Sequence, residues 1–170
     1  MKSKKNIVLI GMMGSGKSSI GKILSKKLNL DFIDIDEEIE KSENNTISDI
    51  FNKKGENYFR KLEQNITIYF LKLENKIISL GGGGYINLQI RKQCSKNCST
   101  YWLNWKIETL MKRISKSKKR PLAVKLNSYE MKKLIIERAK IYNLSDYKIN
   151  CDKLDKDQIV KKIIKIYESQ

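Results

Sequence analysis

Gly11-Met12-Met13-Gly14-Ser15-Gly16-Lys17-Ser18 follows the apolar run Asn6-Ile7-Val8-Leu9-Ile10, so a strand leads into a glycine-bearing loop and the loop into a helix. The spacing G-x-x-x-x-G-K-S is that of a phosphate-cradling P-loop. Glycines let the backbone turn its N–H groups inward around phosphate oxygens with no Cβ in the way. Lys17 supplies a flexible positive charge for the β- and γ-phosphates, and the Ser18 hydroxyl is a ligand for Mg²⁺. The helix that follows opens at the phosphates, where its free N–H groups and positive dipole end favour an anion. Gly14, Ser15, Gly16, Lys17, Ser18 and Ser19 are therefore the candidate ATP contacts.

Other positions depart from a simple packing pattern. Asp34 and Asp36 stand two apart at the end of a second strand, Asp31-Phe32-Ile33-Asp34-Ile35, a spacing that puts both carboxylates on one face. Ligands of open parallel sheets bind beyond the carboxyl ends of the strands, so this pair would border the P-loop and serve Mg²⁺ and a substrate hydroxyl. Asp36 is equally well placed to cap a helix starting at Glu37. Arg138 falls in the middle of the apolar stripe formed by Met131, Leu134, Ile135 and Tyr142, a costly place for a guanidinium unless it meets an anion. Glu63 lies likewise in a helical stripe, with Arg60 one turn earlier and able to pair with it. Two such arginines match a carboxylate, which a guanidinium grips with two parallel hydrogen bonds. Gly81 to Gly84 end a third strand and would let backbone amides approach a ligand at the same cleft.

Composition narrows the chemistry. The 170 residues suit one domain spanning 1–170. There is no histidine, which removes His-dependent nucleophilic catalysis and leaves proton transfer to carboxylates, lysine, tyrosine or water. Cys94, Cys98 and Cys151 are odd in number and lack histidine partners for zinc, so they read as free thiols of a cytoplasmic protein. Met1 to Lys5 followed by an apolar run resembles the start of a signal peptide, but Gly11 ends that run early and a strand is the better reading. No apolar run is long enough to span a bilayer. The net charge of +16 is spread along the chain, as expected of a solvated surface, with one denser cluster at Lys116, Lys118, Lys119 and Arg120.

The elements that must position these groups alternate between strand and helix. That pattern predicts an α/β fold with helices on both faces of a mostly parallel, five-stranded sheet. Ile20, Ile23, Leu24 and Leu28 mark the helix after the P-loop, and a polar turn at Ser42 to Asn45 separates two short helical stretches. Phe59, Leu62, Ile66, Phe70 and Leu73 mark a long helix, and Lys76 to Leu80 a third strand. Helices near Leu88 to Lys96, Trp105 to Ile114 and Ser128 to Tyr142, strands near Thr100 to Leu103 and Tyr147 to Asn150, and a last helix carrying Ile159 to Tyr167 follow. The polar, basic stretch 115–127, which holds the sole proline, Pro121, reads as a mobile loop.

Taken in order, these pieces resemble the shikimate kinase family of nucleoside monophosphate kinase-like P-loop proteins. The resemblance covers nearly the whole chain and rests on the P-loop, F-I-D-I-D-x-x-I-E at Phe32 to Glu40, G-E-x-x-F-R-x-x-E at Gly55 to Glu63, S-L-G-G-G at Ser79 to Gly83, R-P-L at Arg120 to Leu122, and E-R-x-x-x-Y at Glu137 to Tyr142. It implies a three-layer fold with strand order 2-3-1-4-5, a substrate-binding region at about 34–60, and a lid at about 115–127. It further implies ATP-dependent phosphorylation of the 3-hydroxyl of shikimate, with Asp36, Arg60, Gly82, Gly83 and Arg138 holding shikimate and Asp36 accepting the hydroxyl proton. By the same resemblance Lys17, Asp36 and Arg120 are catalytic, Arg113 and Arg120 contact ATP, and Ser18 and, through water, Asp34 hold Mg²⁺. The implied partners are ATP and shikimate, with neither nucleic acid nor membrane, for a monomer. The chain departs from the family pattern at Lys140, where a proline is usual, at Ala123 after R-P-L, in a segment after Tyr142 that is one residue short, and in the fourth glycine, Gly84. Two alternatives stay open at this point: a gluconate-type or nucleoside monophosphate kinase on the same scaffold, and a basic nucleic-acid-binding P-loop protein.

Overall fold

Five apolar runs become the strands β1 (Asn6–Ile10), β2 (Asp31–Asp34), β3 (Lys76–Ser79), β4 (Cys98–Asn104) and β5 (Tyr147–Asn150), all paired parallel in the order β2-β3-β1-β4-β5. The computed structural model describes residues 5–116 and 126–170. Every residue of β1 is buried, as its continuous Ile-Val-Leu-Ile run requires of a central strand covered on both sides. The helices α1 (Lys17–Leu28), α2 (Ile35–Glu43), α3 (Ile47–Leu71), α4 (Leu88–Asn97), α5 (Ile107–Ser115), α6 (Ser128–Tyr142) and α7 (Lys156–Glu168) cover the sheet in groups, α1 against α7 and α3 against α4. The predicted sheet and strand order are those observed.

Local chemistry sets the boundaries. Asn127 and Glu130 form a reciprocal cap at the start of α6, and Asp155 and Gln158 do the same for α7. Asn29 and Asn44 close α1 and α2 in the left-handed conformation that asparagine tolerates. The helical run α3 is broken at Gly55, whose φ of 80° and ψ of 170° no helix contains, so two helical segments meet there at a kink.

Several boundaries differ from the sequence reading by a residue or two. β2 stops at Asp34 because Ile35 already opens α2, and the Asp34 side chain accepts a hydrogen bond from the Asp36 N–H. Asp34, not Asp36, is therefore the helix cap, and the two aspartates do not share a strand face: one ends the strand and the other sits in the first helical turn. The helix expected from Trp105 begins instead at Ile107, leaving Trp105 at the mouth of β4. Leu73 lies beyond the end of α3.

The close seating of α1 on β2 depends on Gly21, where an added Cβ would stand 2.1 Å from the Phe32 ring. Overpacking of that kind costs about 1–3 kcal/mol, more than the gain of about 1 kcal/mol that alanine brings to a helix interior. We expect Gly21→Ala to lower the folding free energy by about 1 kcal/mol, read as a shift of the urea midpoint; an unchanged or raised midpoint would show that the α1–β2 seat yields freely.

Candidate functional site

The carboxyl ends of β1, β2 and β3 carry the chemistry. Gly14 and Gly16 take φ values of 77° and 89°, and Gly16 hands the chain to α1 with no side chain capping its N-terminus and no acidic residue in its first turn. The opening N–H groups are thus left for an anion. Lys17 is only 6% exposed, and its amine donates to the Gly11 and Met12 carbonyls at 2.9 and 3.1 Å, which keeps the charge inside the loop. Gly14, Gly16, Lys17, Ser18 and Ser19 border a hollow of about 230 Å³ together with Asp34 and Asp36.

Asp34 serves both sides of this hollow. One carboxylate oxygen accepts from the Asp36 N–H at 3.1 Å, and the other accepts from the Ser18 hydroxyl at 2.5 Å. Serine hydroxyl and carboxylate oxygens are hard donors of the kind Mg²⁺ takes.

Ser15 and Gly16 also border a second hollow, of about 260 Å³, shared with Trp105, Arg113, Leu154 and Lys156. The Trp105 indole N–H donates to the Ser15 carbonyl at 2.9 Å, and the Arg113 guanidinium lies 3.7 Å from the centre of that ring. Arg113 also donates to the Gly14 carbonyl at 3.5 Å. A guanidinium stacked on an indole is a flat, cationic surface beside the phosphate loop.

On the other side of Ser18, Asp34 and Asp36 opens a cavity of about 370 Å³, within the range of small-molecule sites. Arg60, Glu63, Arg138 and Gly81 to Gly83 line it, so the structure brings together the charged residues singled out in the sequence. Arg60 donates to Glu63 at 2.8 Å and lies 3.3 Å from Glu56. Arg138 is 9% exposed and, among the described residues, forms no ion pair within 4 Å; its guanidinium lies 3.8 Å from the Met12 sulfur and interacts with the Tyr142 hydroxyl and, more weakly, with the Glu63 carboxylate. A Cβ added at Gly81 would stand 2.7 Å from Asp36 Oδ1 and 2.8 Å from Glu63 Oε1, and one at Gly83 would stand 2.6 Å from Arg60 Nη1. The glycine run is thus the floor against which the charged groups are packed.

Several lining residues escaped the sequence reading. Phe51 and Phe59 face each other across the Gly55 kink with ring centres 4.5 Å apart, and both line the cavity with Ile47 and Met13. Each reads as an ordinary core residue in a helical pattern; the glycine between them was the available signal. Trp105 gave no signal beyond its apolar character. Arg120, the remaining predicted site residue, and most of the predicted lid lie outside the described residues.

The shikimate kinase family profile matches residues 13–168. A shikimate kinase of Sulfurihydrogenibium sp. is 42% identical over 160 residues, covering 94% of this chain and 96% of the relative. The crystal structure of shikimate kinase from Aquifex aeolicus superposes with a TM-score of 0.86 at 40% identity, covering 96% of each chain. Shikimate kinase from Acinetobacter baumannii, solved in complex with shikimate, superposes with a TM-score of 0.90 at 28% identity over 97% of this chain and 93% of that one.

The buried carboxylate beside the two arginines has a consequence for stability. Burial pushes the Glu63 carboxyl above its ordinary value, Arg60 pulls the other way, and Asp36 adds to the rise. A folded-state value above the unfolded one means that the native protein holds this proton longer, so the stabilisation is full below the unfolded value and is lost as pH rises through the folded one. We expect the urea midpoint to fall with rising pH across that window, starting from about pH 4, and Glu63→Gln to flatten the fall. A slope equally steep in Glu63→Gln would place the responsible group elsewhere.

Proposed function

The chain belongs to the shikimate kinase family, and from that premise we propose that it transfers the γ-phosphoryl group of ATP to the 3-hydroxyl of shikimate through the residues of the two adjoining hollows. The observation that carries this reading is the meeting of a phosphate loop and a two-arginine cavity at Ser18, Asp34 and Asp36. A donor phosphate on one side and a carboxylate-bearing acceptor on the other would face each other across those residues. The family match favours this reading over the gluconate-type, nucleotide-kinase and nucleic-acid-binding alternatives.

In this mechanism Arg60 and Arg138 clamp the shikimate carboxylate and the amides of Gly82 and Gly83 support the acceptor. Arg138, buried and in no close ion pair among the described residues, gains most from the incoming anion. Asp36 takes the proton of the 3-hydroxyl as its oxygen forms the new bond to phosphorus and the bond from phosphorus to the β-phosphate oxygen breaks, releasing ADP. The transition state is loose and anionic, so Lys17 and the N–H groups of Gly14 to Ser19 stabilise charge, while Arg113 and its Trp105 platform hold the nucleotide on the base side. Arg120 carries the phosphoryl-stabilising role that its R-P-L motif implies.

Mg²⁺ fits the oxygen donors of Ser18 and, through water, Asp34; when bound it neutralises phosphate charge. On this reading the whole chain acts as one domain and as a monomer, with about 34–60 as its acceptor-binding region and about 115–127 as its lid. No helix among the described residues is long and apolar enough to cross a membrane, and the three cysteines are free, in keeping with a cytoplasmic enzyme.

A coupled assay of ADP release tests the assignment. Release should depend on shikimate in the presence of Mg²⁺, and Arg138→Ala should raise the KM for shikimate by about 10–100-fold with the KM for ATP within about twofold. Asp36→Asn should chiefly depress kcat, by about 100-fold or more. An unchanged shikimate KM in Arg138→Ala would refute the clamp.

A further inference from the structure

The glycine run is tied to α6 by a bond that the mechanism above does not use. Tyr142 ends α6 one turn after Arg138, so the two side chains lie on one face of the helix. The Tyr142 hydroxyl donates to the Gly82 carbonyl at 2.5 Å, while a Cβ at Gly82 would stand 3.6 Å from Arg138 Nη1. One helical turn therefore delivers both a guanidinium and a hydroxyl to the same glycine.

The carbonyls on either side of Gly82 are held locally. Gly81 accepts from the Gly84 N–H at 3.0 Å and Gly83 accepts from the Ile86 N–H at 3.0 Å, both within the run of tight turns from Gly81 to Ile86. The Gly82 carbonyl is held from outside, by Tyr142. A trans peptide is planar with its C=O and N–H directed oppositely, so fixing the Gly82 carbonyl also fixes the direction of the Gly83 N–H. With glycine on both sides of that plane, no Cβ opposes its rotation, and the tether matters more than it would between larger residues.

The phenol is itself immobilised. Tyr142 is 2% exposed and its ring packs against Trp102 with centroids 5.9 Å apart. A hydrogen bond in so buried a place is costly to leave unmade.

Building on the acceptor site proposed above, we propose that Tyr142 is a positioning residue for shikimate: its hydroxyl locks the Gly82–Gly83 peptide plane, so that the Gly83 N–H and the Arg138 guanidinium meet the acceptor in one fixed arrangement. The residue touches no reacting atom. Its effect falls on acceptor binding rather than on phosphoryl transfer.

Tyr142→Phe removes the hydroxyl and keeps the ring, and Trp102→Phe disturbs the ring's neighbour while leaving the hydroxyl. With thermal melts to check that both variants fold, we expect Tyr142→Phe to raise the shikimate KM by about tenfold while kcat and the KM for ATP stay within about twofold, and Trp102→Phe to leave the shikimate KM within about twofold. In the unaltered protein, the Gly83 amide resonance should shift on addition of shikimate alone. A shikimate KM unmoved by Tyr142→Phe but raised by Arg138→Ala would overturn the proposal while sparing the site. Equal increases in Tyr142→Phe and Trp102→Phe would reduce Tyr142 to a packing residue, and a silent Gly83 resonance would also overturn the proposal. An unmoved KM in Arg138→Ala would bring down the site and the tether together.

Discussion

The absence of side chains at Gly81 and Gly83 is the constraint on which the site depends. Asp36 and Glu63 approach Gly81, and Arg60 approaches Gly83, so closely that a Cβ there would oblige these charged ends to move from their present places. Side chains from α2 and α3 can then press against a strand end from which α6 is also within reach. The sheet supplies the rest: β3 lies between β2 and β1, so the glycine run emerges beside both the P-loop and Asp34. A phosphate site and an acceptor cavity become neighbours because three parallel strands end together.

Charge within the cavity is arranged unevenly. Glu63 and Glu56 pair with Arg60, whereas Arg138 makes no ion pair among the described residues and meets the Met12 sulfur and the Tyr142 hydroxyl. Such a guanidinium is costly to bury, and an anion beside it would recover the cost. Burial and Asp36 both push the Glu63 carboxyl up, so the pocket holds its charges under tension before any substrate enters. Most of the chain's excess positive charge plays no part in this; lysines such as Lys22, Lys41 and Lys54 sit in exposed or half-exposed surface pairs. These pairs contribute little to stability.

Much of this was legible in the sequence where a residue broke a local pattern. Arg138 in an apolar helical stripe and the P-loop spacing each declare themselves within a single element. Asp36 was found for a partly mistaken reason: strand alternation placed it beside Asp34, whereas a helix begins one residue earlier and carries it there. That switch depends on Asp34 turning its carboxylate to the Asp36 N–H, which alternation of hydrophobic residues does not report. Phe51 and Phe59 share the cavity only because the chain kinks at Gly55, and Trp105 meets Ser15 across 90 residues of sequence. Contacts of that kind arise from packing between elements, not from periodicity within one.

Asp34 divides its two oxygens between the first turn of α2 and the hydroxyl of Ser18. A cation seated at Ser18 would compete for one oxygen and leave the other holding the helix start. One carboxylate thereby ties the P-loop serine to the turn bearing Asp36. Asparagine at 34 would retain an oxygen for the N–H yet lose the second oxygen that accepts from Ser18, separating two contacts that the native side chain fuses.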